Sequence, residues 1–254
     1  MNKLNTFSNL QWMEIHINTL YKLNPHGCMS AVNELGDPTA PRFYMGRTNE
    51  GNRWLFRHDL PTEVAAELDA LCRSEPIATD LQRLPENYQA IHQILAQHTP
   101  IADEHRANEY RANEYRGPAY WAPPVALPAV GSAGAAALLL NDENAHFLQP
   151  HYSWLLQPEL YQLGWPVAMA IEDGAAVSVC FCSRTPQEAA EAGLYTHEGF
   201  RRRGHALAVV TGWVNAMHQW GCIPLYGTSW ENLASQGVAR KLGMKQYGED
   251  WSID

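Results

Sequence analysis

The sequence predicts an α/β fold, in which helices pack on a mixed α+β sheet of parallel and antiparallel strands. Two apolar runs at 166–171 and 175–182 flank a turn at 172–174 that contains Asp-Gly, which is typical of a hairpin. Side chains alternate in character over 190–196, as they do in a strand with two different faces. A long amphipathic helix is expected from His205 onward. These elements alternate too regularly for an all-helical or all-strand chain.

The complete order of elements is clearest in the second half of the chain. Residues 141–161 begin with capping residues and have helical periodicity, which Pro150 and Pro158 divide into two pieces. The hairpin, the strand and the long helix follow. A strand from Ile223 and a helix over 231–244 come next. The expected order is therefore helix, hairpin, strand, helix, strand, helix, strand, from about Val130 to the last residue.

The turn between the predicted strand and the long helix is rich in cations. Arg201, Arg202 and Arg203 precede Gly204, whose missing side chain would let an anion approach the backbone. The first turn of a helix has N–H groups without intrahelical partners and carries the positive end of the helix dipole. The sequence therefore predicts a pyrophosphate site at this turn.

The helix after this turn is expected to bury one face against a sheet. Its apolar residues recur at spacings of three and four, which is the helical period. The predicted buried face consists of Val210, Trp213, Val214, Met217 and Trp220.

The pattern Arg201-x-x-Gly204-x-Ala206 resembles the acetyl-coenzyme A signature of the GNAT acyltransferase superfamily. The strand before it is similar to the family's splayed strand, with Glu191 where the family often has a glutamate. The helix after the strand from Ile223 is similar to the family's last helix. It keeps the spacing of Asn232, Ser235, Leu242, Gly243 and Met244.

The resemblance implies a GNAT fold over residues 130–254 and acetyl-coenzyme A as cosubstrate, with no metal. It implies direct transfer of the acetyl group to an amine, without an acyl-enzyme. The residues that it places against the cofactor are Leu194, Tyr195, Thr196, Arg201, Arg202, Arg203, Gly204, His205, Ala206, Asn232 and Ser235.

The candidate catalytic residues are Glu191, Tyr226 and Tyr195. An amine is mostly protonated at pH 7, so a base must remove a proton, and Glu191 is the candidate. A backbone N–H near Tyr195 or Thr196 would meet the oxyanion. Many family members have at the position of Ala239 a tyrosine that can act as general acid and protonate the leaving thiolate. Tyr195 and Tyr226 are the candidates to replace it in this chain. In the alternative interpretation none of the three is catalytic: Glu191 pairs with a nearby arginine, and both tyrosines belong to the core.

Composition limits the partners. A chain of 254 residues with 46% hydrophobic residues can bury a sizeable core. A net charge of −9 argues against nucleic acid and favours a small cationic amine, an antibiotic or a polyamine among them. Five cysteines without a CxxC pair, no apolar signal core and no apolar run of membrane-spanning length lead us to expect a cytoplasmic protein, not a membrane protein. Cys180 and Cys182 are expected to be apolar core residues.

The first half, residues 1–129, is expected to be an α+β region. In one interpretation it forms a wall of the acceptor cleft. In the other it is a degenerate repeat of the catalytic fold that serves for packing or dimerisation. Residues 99–135 are expected to connect the halves. The predicted elements are a helix over 10–23, a hairpin of 42–46 and 53–57, and helices over 61–73 and 84–98.

Three functions remain open at this stage. The first is an acetyltransferase acting on a small amine, and the second is a protein or peptide N-acetyltransferase. The third is a module that binds acyl-coenzyme A for sensing or assembly with weak turnover, which the absence of a tyrosine at Ala239 makes plausible. A homodimer stays open in each case.

Overall fold

A computed structural model describes residues 6–98, 114–123 and 137–254 of the chain. The helices are α1 Asn9–Leu20, α2 Thr62–Ser74, α3 Tyr88–Gln97, α4 Gln149–Tyr152, α5 Pro158–Tyr161, α6 His205–Gln219 and α7 Leu233–Lys241. The strands are β1 Tyr21–Leu23, β2 Met29–Val32, β3 Phe43–Thr48, β4 Gly51–Phe56, β5 Glu114–Trp121, β6 Leu138–Leu139, β7 Ala168–Glu172, β8 Ala175–Cys182, β9 Ala189–Thr196, β10 Ile223–Gly227 and β11 Lys245–Ile253.

Nine of these strands form one mixed sheet in the order β4-β3-β11-β5-β10-β9-β8-β7-β6, which confirms the predicted fold class. β9 and β10 are parallel, and the other neighbours within this sheet are antiparallel. β1 and β2 form a separate hairpin. The single parallel pair lies near the middle of the sheet and follows from the α6 crossover between its strands.

The parallel pair separates along its length. Ile223, Pro224 and Leu225 pair with Ala189, Ala190 and Glu191, and the pairing ends there. β9 continues to Thr196 against β8, whereas Tyr226 and Gly227 pair with β5 on the other side. A gap therefore opens in the sheet directly after Glu191, as the predicted splay of this strand requires.

The two faces of the sheet are covered by different helices. On one face α6 and α7 pack over Ala190, Tyr120 and Tyr226, and we call this the α6 face. On the other face α1 packs over the middle strands, with the Trp12 ring stacked 4.5 Å from that of Trp121. We call this the α1 face, and Glu191 lies on it beside α1 residue His16.

The second half follows the predicted elements closely. Strand 175–182 and the start of α6 at His205 are as expected, and Val210, Trp213, Val214 and Met217 are buried. Trp220 is 52% exposed, so its place on the buried face was wrong, since α6 ends one residue earlier. The expected helices over 141–161 are instead a series of short helical turns.

The first half departs further from expectation. The helix expected over 10–23 ends at Leu20 because the chain turns extended at Tyr21, where β1 begins. The expected connection 99–135 contains β5, a strand in the middle of the sheet. Its other residues lie largely outside the described parts of the chain. Alternation does not show in β5, because Gly117 and Pro118 interrupt it and its last five residues are all buried.

The sheet runs continuously through strands from both halves of the chain, because β5 pairs with both β10 and β11. The expected boundary at 129 and 130 lies outside the described residues, so the division into two domains stays a prediction. No helix in the described ranges is long and apolar enough to cross a membrane.

Candidate active site

The cationic turn leads into α6 through two left-handed residues. Arg202 has φ +62° and Gly204 has φ +91°. Only glycine adopts the second value without strain, and a Cβ at residue 204 would meet nothing within 4 Å, so the space in front of this backbone is open. The N–H groups of His205, Ala206 and Leu207 begin the helix and have no intrahelical partner. The turn can therefore accept an anionic group.

The side chains of the turn are not all free for that anion. Arg203 donates to Glu172 Oε1 at 2.7 Å and lies over the Phe200 ring, and His205 Nε2 is 2.9 Å from Glu172 Oε2. Arg201 donates to the Thr196 carbonyl at 3.3 Å. We expected Arg203 and His205 to contact the anion, but the carboxylate of Glu172, which lies between them, was not predicted.

The backbone of β9 offers alternate residues to the gap. The Ser183 N–H donates to the Glu191 carbonyl at 2.9 Å, and the His197 N–H donates to the Val177 carbonyl at 2.9 Å. Odd-numbered residues of β9 therefore direct their backbone groups toward β8. Consequently Ala192, Leu194 and Thr196 direct theirs toward the gap. This placement suits Leu194 and Thr196 as predicted, whereas the backbone of Tyr195 faces β8.

Glu191 lies at the point where the gap opens and is 7% exposed. Its Oε2 is 3.3 Å from His16 Nε2, a contact that is close enough for an ion pair but misaligned for a hydrogen bond. A Cβ on Gly227 would lie 2.7 Å from its Oε1, so the carboxylate occupies space that only a glycine at residue 227 leaves. Its neighbour is a histidine, not the arginine of the alternative interpretation.

A second carboxylate lies on the far side of His16. The Nδ1 atom of His16 is 2.7 Å from the Tyr247 hydroxyl and 3.5 Å from Asp250 Oδ1, which accepts a hydrogen bond from Tyr44 at 2.5 Å. Burial disfavours the charged ring, but Asp250 and Glu191 outweigh it, so the pKa of His16 is raised above 6.5. Burial also raises the pKa of Asp250 above 3.8, although His16 opposes the shift.

A cavity of about 440 Å³ opens over Glu191, Asp250 and Tyr44 on the α1 face. Its lining contains four carboxylates: Glu191, Asp250, Glu114 and Asp254. Arg184 is the cation among the described lining residues, and it is ion-paired with Glu34. Residues of the first half form one wall, among them Leu20, Tyr21, Val32, Thr39, Pro41 and Tyr44. The cavity is therefore acidic and partly aromatic.

Tyr226 lies on the opposite face of the sheet. Its side chain is buried, and its hydroxyl is 2.6 Å from Ser235 Oγ on α7. Burial raises the pKa of Tyr226, so the phenol keeps its proton. Ala239, one turn further along α7, packs in the same cluster. The Tyr226 hydroxyl therefore lies against α7, the helix in which Ala239 replaces the family's tyrosine.

Tyr195 is placed differently from Glu191 and Tyr226. Its side chain is 57% exposed and stacks on Phe181 at 6.0 Å between ring centroids. Tyr195 is four positions further along the strand than Glu191, a rise of about 13 Å. Its catalytic role stays a prediction, and the placement favours Tyr226.

Asn232 and Ser235 serve the start of α7. Asn232 Oδ1 accepts from the Ser235 N–H at 3.1 Å, so it caps the helix. The Ser235 hydroxyl is occupied by Tyr226. Contact of either residue with a cofactor stays a prediction.

We did not predict His16 from the sequence, nor Gly227, Asp250 and the cavity that these last two residues line. These residues are distant in the chain, and no local spacing links them. The signal that could have found His16 is its place on the apolar side of a helix, where a histidine needs a polar partner. Cys180 and Cys182 are buried core residues, and burial raises the pKa of Cys182 to about 12. No group that could hold a metal occurs among the described residues.

Comparison with known proteins gives one family match. Residues 166–250 match the family model described as GNAT acetyltransferase. No curated protein matches the chain.

The chain also matches solved structures at low identity and with TM-scores below 0.5. A GCN5-related N-acetyltransferase-like protein from Streptococcus suis is 14% identical over 86% of both chains, with a TM-score of 0.48. A GNAT-family acetyltransferase from Colwellia psychrerythraea is 14% identical over 79% of this chain and 76% of its own, with a TM-score of 0.45. A GNAT-family protein from Novosphingobium aromaticivorans is 14% identical, and the chain covers 65% of it, with a TM-score of 0.44.

The family match confirms the predicted resemblance and the prediction of an acyltransferase. It covers β7, β8, β9, α6, β10, α7 and most of β11. The matched segment contains the turn, the gap and Glu191.

Proposed function

We propose that the chain, a GNAT acetyltransferase over residues 166–250, transfers an acetyl group from acetyl-coenzyme A to a primary amine of a small cationic molecule. The observation that carries this proposal is the position of Glu191. It lies at the opening of the gap, with an acidic cavity on one face and an anion-accepting turn beyond the other end of the strand.

The cofactor would lie on the turn and in the gap. The N–H groups at the start of α6 and the open space before Gly204 suit its diphosphate. The gap-facing backbone groups of Leu194 and Thr196 suit its amide-containing arm, as strand edges do. When bound, acetyl-coenzyme A supplies an acetyl group activated as a thioester.

The acceptor would enter from the α1 face. A cavity of about 440 Å³ suits a small molecule, and its carboxylates attract an ammonium group. Tyr21, Tyr44 and Tyr115 add aromatic faces to the same lining, which can contact the apolar part of an amine. The first half of the chain thus acts as a wall of the acceptor site.

Glu191 would then act as the base. It accepts a proton from the acceptor ammonium, directly or through a water, and this frees the nitrogen lone pair for attack on the carbonyl carbon of the thioester. A gap-facing N–H of β9 stabilises the negative charge on the carbonyl oxygen. Since Tyr195 directs its N–H toward β8, Ala192, Leu194 and Thr196 are the candidate donors.

As the C–S bond breaks, Tyr226 would donate its hydroxyl proton to the leaving thiolate, and the second proton that the nitrogen loses would restore the phenol. Its hydroxyl lies on the α6 face, opposite Glu191. The base and the acid then work from opposite faces of the sheet through one gap. This arrangement separates proton removal from proton delivery, as two-group acid–base catalysis requires.

Release of free thiol from acetyl-coenzyme A, measured across a panel of amines, tests the proposal. We expect thiol release that depends on a cationic primary amine, with mass spectrometry showing an acetylated product. Cofactor binding without amine-dependent release would instead favour a binding or sensing module, a rival that Ala239 supports. Release with peptides alone would favour a protein N-acetyltransferase.

A further inference from the structure

The first half of the chain places one titratable group in direct contact with Glu191. His16 of α1 is 0% exposed. Its Nε2 faces Glu191 of β9, and its Nδ1 faces Tyr247 and Asp250 of β11. The ring therefore bridges two strands that lie on either side of β5 and β10 in the sheet.

The charges around this ring favour its protonated form. Glu191 faces it from β9 and Asp250 faces it from β11, while Arg184, after β8, opposes its charge at longer range. Tyr247 and Tyr44 add hydroxyl groups without charge. Two buried carboxylates beside one ring are costly unless a cation compensates them.

The contact also fixes which oxygen of Glu191 is presented to the acceptor. Oε2 points at His16, and Oε1 lies against Gly227, which lines the cavity. Neither His16 Nε2 nor Glu191 Oε2 has a hydrogen-bond partner of good geometry within the described residues. The pair is therefore held by charge and packing.

We propose that His16 is a positioning residue, an imidazolium that holds the Glu191 carboxylate with Oε1 directed into the acceptor cavity. The inference rests on the proposed function, since it gives Glu191 the role of base. It makes the first half of the chain part of the catalytic arrangement as well as a wall.

The charge of His16 is tested without any turnover. The ¹⁵N resonances of the histidine rings are followed from pH 5 to 9 in the full chain and in Glu191→Gln. We expect the midpoint of His16 to lie above 6.5 and to fall by roughly one pH unit in Glu191→Gln, the scale of losing a neighbouring charge. Asp69→Asn, which removes a carboxylate from a distant ion pair with Arg73, should leave it unchanged.

A midpoint at or below 6.5, or one that Glu191→Gln does not move, would overturn the proposal. This titration uses the folded wild-type chain, so it decides the question even if variants of His16 fail to fold. The titration also reports the charge of His16 if no amine is acetylated. In that case the proposed function fails, but the ion pair between His16 and Glu191 is still tested.

Kinetics test the positioning role. In His16→Gln we expect kcat to fall roughly 10- to 100-fold, the KM for acetyl-coenzyme A to stay the same, and the acid limb of the pH profile to move to higher pH. His58→Gln, also in the first half but beside Met29, is the matched control and should behave as wild type. A lower melting temperature with an unchanged pH profile would reduce His16 to a structural residue.

Discussion

The two faces of the sheet meet the same gap with opposite chemistry. On the α6 face, the gap leads to backbone N–H groups, three arginines and a helix start. On the α1 face it leads to Glu191, Asp250 and a cavity lined by further carboxylates. A diphosphate suits the first side, and a protonated amine suits the second.

The difference shows how the two substrates can be kept apart until they meet at the gap. Each side repels the charge that the other attracts, so neither substrate competes for the other's site. A substitution on one face of the sheet should therefore leave the substrate of the other face bound as before.

Glu191→Gln gives the largest effect that we expect. The amide cannot take the proton from the acceptor, so kcat should fall about 100-fold or more at pH 7. The affinity for acetyl-coenzyme A, measured by calorimetry, should be unchanged because the change lies on the α1 face. Asp69→Asn controls for loss of a carboxylate elsewhere. A fully active Glu191→Gln would remove this residue as the base.

Gly204→Val disturbs the α6 face instead. A valine is strained at φ +91°, and its branches would occupy the space before the helix start. We expect the Kd for acetyl-coenzyme A to rise roughly 10- to 100-fold, from a loss of about 1–3 kcal/mol.

Gly221→Val is the matched control for that experiment. Gly221 has φ +75°, and a Cβ added there would meet nothing within 4 Å, but this residue follows the other end of α6. It carries similar backbone strain far from the turn. If both variants weaken binding equally, strain alone explains the loss and the diphosphate assignment is wrong.

The sequence predicted the α6 face far better than the α1 face. The turn, Gly204 and α6 are contiguous, so their chemistry is visible in one local pattern. The α1 face assembles His16 from α1, Glu191 from β9 and Asp250 from β11, and only the tertiary fold brings these together. The resemblance and the chemistry of a buried carboxylate made Glu191 a candidate, but its neighbours His16 and Asp250 could not be predicted in this way.

Contacts between residues that are distant in the chain also account for the wrong predictions in the first half. β5 is a central strand whose neighbours β10 and β11 follow it by about a hundred residues or more. Its Gly117 packs against the Thr228 carbonyl, where a Cβ would come within 1.8 Å. That glycine serves a tertiary contact, but in the sequence it favours a loop.

Tyr226→Phe should give a smaller effect than Glu191→Gln. Loss of the hydroxyl should lower kcat about tenfold or more if it protonates the thiolate, while leaving the KM for the amine unchanged. Tyr120→Phe is the control, since Tyr120 pairs with Tyr226 across β5 and β10 and packs in the same cluster. If both variants are as active as the wild type, Tyr226 is not the general acid.

Glu172→Gln should give the smallest effect, and it should improve binding. The change frees Arg203 and His205 from the carboxylate that they share. Arg203 and Glu172 are partly exposed, so we expect the Kd for acetyl-coenzyme A to fall by about two- to fivefold, less at high salt. Calorimetry at two ionic strengths measures it, and weaker binding would show that Glu172 supports the turn rather than competing for it.

A crystal structure of the chain with coenzyme A tests the arrangement of the two faces most directly. We expect the diphosphate on the N–H groups at the start of α6 and the thiol in the gap between β9 and β10, within reach of the Tyr226 hydroxyl. A diphosphate bound elsewhere, or a thiol directed away from the gap, would contradict the account.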